Sequence, residues 1–516
     1  MPTTDQPVVG LVLSGGGARS SFQIGALRYL YDTAGITPTV ITGTSAGAIL
    51  GTVIAQSGDH EGQRARLAQL EELWRQMRSS SDMFEELPWF ARLRERGPVW
   101  LEAYDRRKRR QGALGRSFRR VADLRHGVAS ATDRTVGTPE EPVEQTVEET
   151  EEVATAVAAG VAATSPASGR ATLVAPAGQG ATEHTESSWV PAKLLESIET
   201  LRTVGRAGSD LAEIVEGAQR ERSMFRPGPI VDRLLDPEVF EQSEVARSGI
   251  TLRIAVVALE SGELRFVTED GTLVDRDNRS LPEEPVDLVE AVRASCAIPM
   301  VFPPVRLGAE NYVDGGVRES LPVDIAQAHL GVTECYAVVA GPSTGVAREE
   351  SYDDKDMLSI VMRTTTMIMT DEVQRDEVVH AKASGAVVIE PEFDVHDTLT
   401  IESGLVSIAI DYGYLRAAEA HRGATGAQQA LTRDLITLRR DIWRAEERAF
   451  APDAAAHDEQ ERLQQVAEIT GLKFQLRDLL RALPADHLPE SAERWWRGWE
   501  QHDFDIPVAP AWAPPA

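Results

Sequence analysis

The sequence predicts an α/β fold: a three-layer α/β/α domain with a mostly parallel central sheet. Two observations near its start predict it. Residues 8–13 (VVGLVL) form a short continuous apolar run, the pattern of a strand buried on both faces, and residues 40–42 form another. Each leads through a glycine-rich turn into an apolar helical pattern. Two strand–turn–helix units in succession are what a parallel sheet with crossover helices requires. At 516 residues, 42% hydrophobic and 26% charged, the chain can build one large domain and an appendage, or two or three ordinary domains.

The elements follow in order. The first helix is read from Phe22, Ile24, Ala26, Leu27 and Leu30 and closes at Gly35 and Pro38. The second carries Ile49, Leu50, Val53 and Ile54, and a helical pattern returns at 64–78. A basic block then runs from Arg106 to Arg125. From 129 to 188 the chain is Ala, Thr, Glu, Gly, Pro and Ser with almost no large apolar residue. Such a stretch cannot bury enough area to offset its ordering entropy, so a disordered insertion is expected there. Order resumes near Val190. Residues 254–259 (IAVVAL) read as a core strand, 263–268 as its alternating neighbour, and 288–292 as a helix. Tyr312-Val313-Asp314-Gly315-Gly316 marks a strand end with a tight turn, and 336–340 and 386–389 are further buried strands. Beyond Gly423 the pattern is amphipathic helix. The expected organisation is a catalytic domain in two parts, 8–128 and 189–422, split by the insertion at 129–188 and followed by a helical extension at 423–516.

The formal charge of −28 argues against a nucleic-acid binder, because phosphate contacts need a positive surface. Cys296 and Cys335 are the only cysteines, so neither a disulfide framework nor a metal-type spacing is implied, and no metal or other cofactor is expected. The first residues lack the basic, then apolar pattern of a signal peptide, and no run approaches 18 apolar residues. A cytoplasmic location is expected, with any membrane contact peripheral.

Three glycine-bearing motifs could carry chemistry. Gly43-Thr44-Ser45-Ala46-Gly47 places a serine between a β run and an apolar helix. A sharp turn there exposes the hydroxyl, the flanking glycines relieve crowding, and the helix N-terminus offers N–H groups to a developing oxyanion. The bland alternative is a helix-capping serine. Gly15-Gly16-Gly17 lets successive N–H groups converge on an anion, either a tetrahedral oxyanion or a phosphate. A dinucleotide site would want a carboxylate closing the second strand, where Val40-Ile41-Thr42-Gly43 has none. A P-loop would need Lys-Ser or Lys-Thr after its glycines. Asp314-Gly315-Gly316 can hold a carboxylate rigidly at a strand end, or can be a plain Asx-turn. An α/β-hydrolase would add a histidine, but His329, His380 and His396 sit in no distinctive context and read as incidental.

Together these segments resemble the patatin-like phospholipases. Gly15-Gly16-Gly17-Ala18-Arg19 resembles the family's oxyanion loop, usually GGGxRG, and Gly43-x-Ser45-x-Gly47 its nucleophile elbow. Ser295-Cys296-Ala297-Ile298-Pro299, Asp314-Gly315-Gly316 and Leu321-Pro322-Val323 resemble the segment with the catalytic aspartate. The resemblance implies a Ser45–Asp314 dyad without metal. It implies an oxyanion hole drawn from Gly15, Gly16, Gly17, Arg19 and Ala46, with the Gly16, Gly17 and Ala46 N–H groups as donors. It also implies a lipid ester as substrate. An acyltransferase working through the same acyl-serine and a non-catalytic scaffold are the alternatives. This chain departs from the family at Ser20, where the first motif ends in glycine, and at Arg318-Glu319-Ser320, where many relatives carry an asparagine. Two features lie outside the motifs. The block from Arg106 to Arg125 reads either as a surface for anionic lipid head groups or as a solvated charged face. Trp495, Trp496 and Trp499 read as ties of a terminal helix to the core.

Overall fold

The computed structural model describes residues 7–95, 208–450 and 459–497, apart from 238, 347–350, 354 and 356. The insertion expected at 129–188, the basic block from Arg106 to Arg125 and Trp499 lie outside them. Contacts divide the chain into a unit of residues 1–93 and 212–516 and another of 94–211. The sheet, its helices and the candidate site belong to the first.

The two apolar runs at the start form strands β1 (Val9–Leu13) and β2 (Val40–Gly43), followed by helices α1 (Ser20–Tyr29) and α2 (Ala46–Ile54). Helix α3 (His60–Arg75) comes next, its first turn capped by Asp59, which accepts from the Gly62 N–H. Strand β3 (Thr251–Ala258) is buried along nearly its whole length. It ends one residue short of the expected run, and Leu259 is exposed. Strands β4 (Leu264–Thr268) and β5 (Leu273–Val274), helix α4 (Leu288–Ser295), and strands β6 (Val305–Leu307) and β7 (Glu310–Asp314) follow. Strand β8 (Glu334–Val338) leads to helices α5 (Met357–Met362) and α6 (Met369–Ala383), which are joined through a wide π turn at Arg363–Ile368. Strand β9 (Val387–Ile389) and helix α7 (Ser403–Arg422) complete the layers of the sheet domain.

The nine strands form one sheet in the order β9-β8-β1-β2-β3-β4-β5, with β7 pairing β3 and β6. Pairing is parallel from β9 to β3 and antiparallel beyond. The central strand β1 lies between β2 and β8, so its apolar run is buried from both sides, as a parallel sheet covered by helices requires. Gln23 fastens this centre: its amide donates to the carbonyls of Ser14 and Val338, where β1 and β8 end.

Helices α1 and α7 cross at backbone distance. A Cβ on Gly25 would lie 1.7 Å from the Ile410 carbonyl oxygen, and one on Gly413 would lie 1.9 Å from that of Phe22. Neither residue can therefore carry a side chain without parting the helices. Gly423, at φ 72°, ends α7 in the left-handed conformation, and helices α8 (Gly426–Phe450) and α9 (Glu459–Leu480) form the appendage. Two buried ion pairs hold it: Lys473–Glu446 at 2.7 Å within the α8–α9 pair, and Arg439–Asp411 at 2.8 Å from α8 to α7. Trp495 is buried against the Arg439 guanidinium, with 4.1 Å from its carbon to the ring centre, so that tryptophan ties the terminal helix to the core. No helix among the described residues is long and apolar enough to cross a membrane.

Breaking a buried pair by removing one partner exposes the other charge to an apolar interior. Lys473→Met is expected to cost about 3 kcal/mol in chemical denaturation. Glu446→Leu added to it should recover most of that loss. Equal stability of parent and single variant would show that the pair contributes nothing.

Candidate active site

Ser45 stands in the turn between β2 and α2 with φ 55° and ψ −125°, a backbone conformation that residues with a Cβ rarely adopt. The surroundings leave it no alternative. A Cβ on Gly43 would press on the Gly47 carbonyl at 2.6 Å, and one on Gly47 on the Leu13 carbonyl at 2.5 Å. These glycines let β2 and α2 fold back on each other. The Ser45 N–H donates to the Ser295 hydroxyl at 2.9 Å, and that hydroxyl donates to the Ala255 carbonyl at 2.7 Å. Ser295 on α4 therefore pins the turn to β3.

Strand register explains why Asp314 meets Ser45. Strand β2 ends at Gly43, opposite Ile254 of β3, and β7 arrives antiparallel with Asp314 opposite Val256. Because β4 occupies the other edge of β3, β7 continues the line that β2 vacates. The two strand ends thus sit two residues apart along β3, roughly 7 Å. The Asp314 carboxylate accepts from the Gly316 N–H at 2.8 Å and lies next to the Ser45 hydroxyl. Burial pushes the Asp314 carboxyl up to about 6, opposed by the nearby Ser45 hydroxyl and the Gly316 hydrogen bond. The Cys296 thiol lies beside the same hydroxyl, and burial with the nearby Asp314 charge raises it well above its usual value. That thiol stays protonated.

The glycine loop after β1 closes the site from the other side. Gly15 faces Ser45, whose Cβ would lie 3.3 Å from a Cβ at Gly15, and Gly16 packs flat on Ala340. Among the described residues, no group accepts from the N–H groups of Gly16, Gly17 or Ala46. Two residues expected at the oxyanion hole are directed elsewhere. The Gly15 N–H donates to the Ser320 carbonyl at 3.1 Å, because the loop must be tied to the strand-end segment after Asp314. The Arg19 N–H donates to the Gly16 carbonyl, and its guanidinium reaches Asp394 at 3.4 Å while lying over Gly341. The departure at Ser20 is absorbed locally: its buried hydroxyl donates to the Gly17 carbonyl at 2.7 Å and closes the turn. Gly315, after the aspartate, packs on the Ala255 carbonyl, where a Cβ would come within 2.6 Å.

Sequence reasoning missed the residues behind this loop. His396 is buried, with Nδ1 3.0 Å from the Asp397 carbonyl and Nε2 3.0 Å from the Ser21 hydroxyl. A carbonyl beside Nδ1 places the proton there, so the neutral ring accepts from Ser21 through Nε2. Burial lowers its basicity and keeps it neutral. With Ala18 N–H donating to the Thr398 carbonyl and Arg19 meeting Asp394, residues 394–398 brace the glycine loop at three points. Nothing in the neighbourhood of His396 in sequence could have signalled this, since its partner lies 375 residues away. Glu377 on α6 was likewise unforeseen. Its carboxylate accepts from the Ser320 and Leu321 N–H groups, beside Glu319, which is itself paired with Arg276 at 3.6 Å. Burial drives both carboxyls well above the usual range, and the neighbouring Glu319 charge adds to the rise at Glu377.

An α/β sheet bearing a strained serine at a strand–helix turn, a buried carboxylate on its hydroxyl and a glycine loop opposite defines a class of nucleophile-elbow proteins. The patatin-like phospholipase family model matches residues 11–327, well over half the chain. The chain belongs to the patatin-like phospholipase family. Two solved structures are similar to it: VipD from Legionella pneumophila and the ExoU–SpcU complex from the type III secretion system of Pseudomonas aeruginosa. VipD is 14% identical, with 95% of this chain and 91% of that one covered and a TM-score of 0.26. The ExoU–SpcU match is 16% identical, with 95% and 72% covered and a TM-score of 0.19. At such TM-scores these likenesses say nothing about the chemistry of this chain. No curated protein matches it.

The raised Glu377 carboxyl makes stability depend on pH. A group whose folded pKa lies above its unfolded value stabilises most below the unfolded pKa, and loses that contribution as pH rises through the folded one. Glu377→Gln cannot ionise. Its thermal midpoint, measured against that of the parent from pH 5 to 9, is therefore expected to gain steadily with rising pH. A difference independent of pH would show that Glu377 ionises normally.

Proposed function

We propose that this protein hydrolyses carboxylic ester bonds of phospholipids or lysophospholipids through a Ser45–Asp314 dyad. The observation that carries this reading is the placement of Ser45, held in a strained turn, with its hydroxyl beside a buried carboxylate raised to about 6. Family membership supports a lipid acyl substrate. A base poised near the working pH can accept a proton and return it. Ser45 Oγ attacks the acyl carbonyl carbon while Asp314 takes the hydroxyl proton. Negative charge collects on the carbonyl oxygen, toward which the Gly16, Gly17 and Ala46 N–H groups are the candidate donors. The ester C–O bond then breaks, and the leaving alkoxide takes the proton from Asp314. Water, deprotonated by Asp314, attacks the acyl-Ser45 ester, releasing the fatty acid and returning the proton to Ser45. Asp314 reaches Ser45 directly, so the dyad has no need of an imidazole.

Purified protein is expected to turn over medium-chain p-nitrophenyl esters and phospholipid. Ser45→Ala should lower kcat by about 10³-fold or more, and Asp314→Asn by about 10²-fold or more, with both variants folded. Turnover that survives Ser45→Ala would sink the mechanism.

The ionised form of Asp314 is the active one. kcat/KM should therefore be level above about pH 7 and fall about tenfold per unit below the Asp314 value of about 6. An acid limb centred near 4 would mean that the carboxylate is solvated during turnover.

A further inference from the structure

From the geometry of the helical stretch before Gln374, we infer that α5, the π turn and the start of α6 form the face on which this protein lies against a zwitterionic lipid surface. The inference rests on the lipid-hydrolase reading and deepens it by naming the surface that meets the substrate. Ile360, Val361, Ile368 and Met369 are 45%, 37%, 49% and 52% exposed. Four of the nine exposed large apolar side chains among the described residues thus fall within ten positions, a concentration that scattered surface apolar residues do not show.

The backbone puts them on one side. Positions 360, 364 and 368 and positions 361, 365 and 369 follow steps of four, which in an α-helix overshoot a full turn. The π turn at Arg363–Ile368 holds more than four residues per turn, so there the same steps fall short. The two drifts offset each other, and both rows stay in line.

The polar residues between them make no demand on water. Thr364 donates to the Ile360 carbonyl, Thr365 to Val361, Thr366 to Met362 and Thr370 to Thr365, at 2.7–3.2 Å. Each hydroxyl is satisfied within its own helix, the arrangement that lets threonine enter hydrocarbon without an orphaned donor. Arg363 is the single charge between Met357 and Thr370. Past Thr370 charge returns with an acidic balance, Asp371, Glu372 and Asp376 against Arg375. This acidic margin is repelled by anionic head groups and tolerated by phosphatidylcholine, which sets the kind of surface.

The helix that carries this face also reaches the neighbourhood of the site. Farther along α6, Gln374 donates to the Gly341 carbonyl, and Glu377 holds the Ser320 and Leu321 N–H groups. Gly341 follows the Ala340 on which Gly16 packs, and Ser320 accepts from Gly15. Gln374 lies six positions beyond Ile368, about 9 Å along the helix. Seating this face on a bilayer would hold at the lipid boundary the helix whose buried side braces the segment beside the glycine loop.

The full chain, its Ile360→Asp/Ile368→Asp variant and its Ser45→Ala variant would be floated with phosphatidylcholine vesicles, and turnover of a soluble short-chain ester measured in parallel. The parent and Ser45→Ala should bind equally. The double aspartate variant should bind at least about tenfold less while turning over the soluble ester within about twofold of the parent. Equal binding by the double variant, binding only when phosphatidylserine is present, or conversion of a parent dimer to a monomer by the substitutions would each overturn the inference. The last of these would assign the face to a second copy. If no protein hydrolyses any ester while binding still follows the face, the lipid-hydrolase reading fails and the docking face stands.

Discussion

A serine held at positive φ costs on the order of 1–3 kcal/mol, and it persists only where its surroundings over-determine it. Here they do so from four directions. Strand β2 enters between two parallel neighbours, Gly43 and Gly47 bring strand and helix to backbone contact, Ser295 captures the serine N–H, and Gly15 packs against it from the glycine loop. The order of the strands, the positions of the glycines and the packing of α4 on β3 all serve that one turn. The same packing shapes the antiparallel part of the sheet. Strand β2 must stop at Gly43 for the chain to turn, and its early end leaves the edge of β3 on which β7 delivers Asp314.

Burial supplies the electrostatics. Burial raises the Asp314 carboxyl to about 6, whereas Glu377, although it accepts from two backbone N–H groups, rises to about 9 because the Glu319 and Asp324 charges add to its burial. Two carboxyls are thus set apart by the charges that surround each. The structural loop under Ser320 and Leu321 carries the more strongly raised group, and the carboxylate on Ser45 the more moderately raised one.

The short-range features were legible in the sequence. Both strand–turn–helix units, the paired glycines around Ser45 and the strand end at Asp314 depend on neighbours within a few residues, where steric rules act directly. The pairing of Ser45 with Asp314 was an expectation drawn from the family resemblance, since nothing in the residue pattern links positions so far apart. Two of the helices were not legible, for physical reasons. Helix α7 is buried on nearly every side and carries Gly404 and Gly413, so it shows no amphipathic stripe. The stretch through α5 and α6 mixes α and π turns, which blurs any fixed period. His396 was read as incidental because its meaning lies in a partner on α1. Arg19 was placed at the oxyanion hole because it belongs to the loop motif, and its side chain reaches Asp394, a partner 375 residues away that the motif does not show.

The pairing of β1 with β8 joins Val9 to Glu334 and Leu13 to Val338, across more than 320 residues of chain. A ribosome therefore releases the serine turn long before the strand that completes its neighbourhood, and α7, which clasps α1, emerges later still. Sequence-distant contacts of this kind form slowly, and a nascent chain that lacks them holds β1 with one open edge. Synthesis order thus acts as a timer. The glycine loop can be braced by residues 394–398 only when most of the chain is made, so the loop should reach its final shape together with completion of the fold.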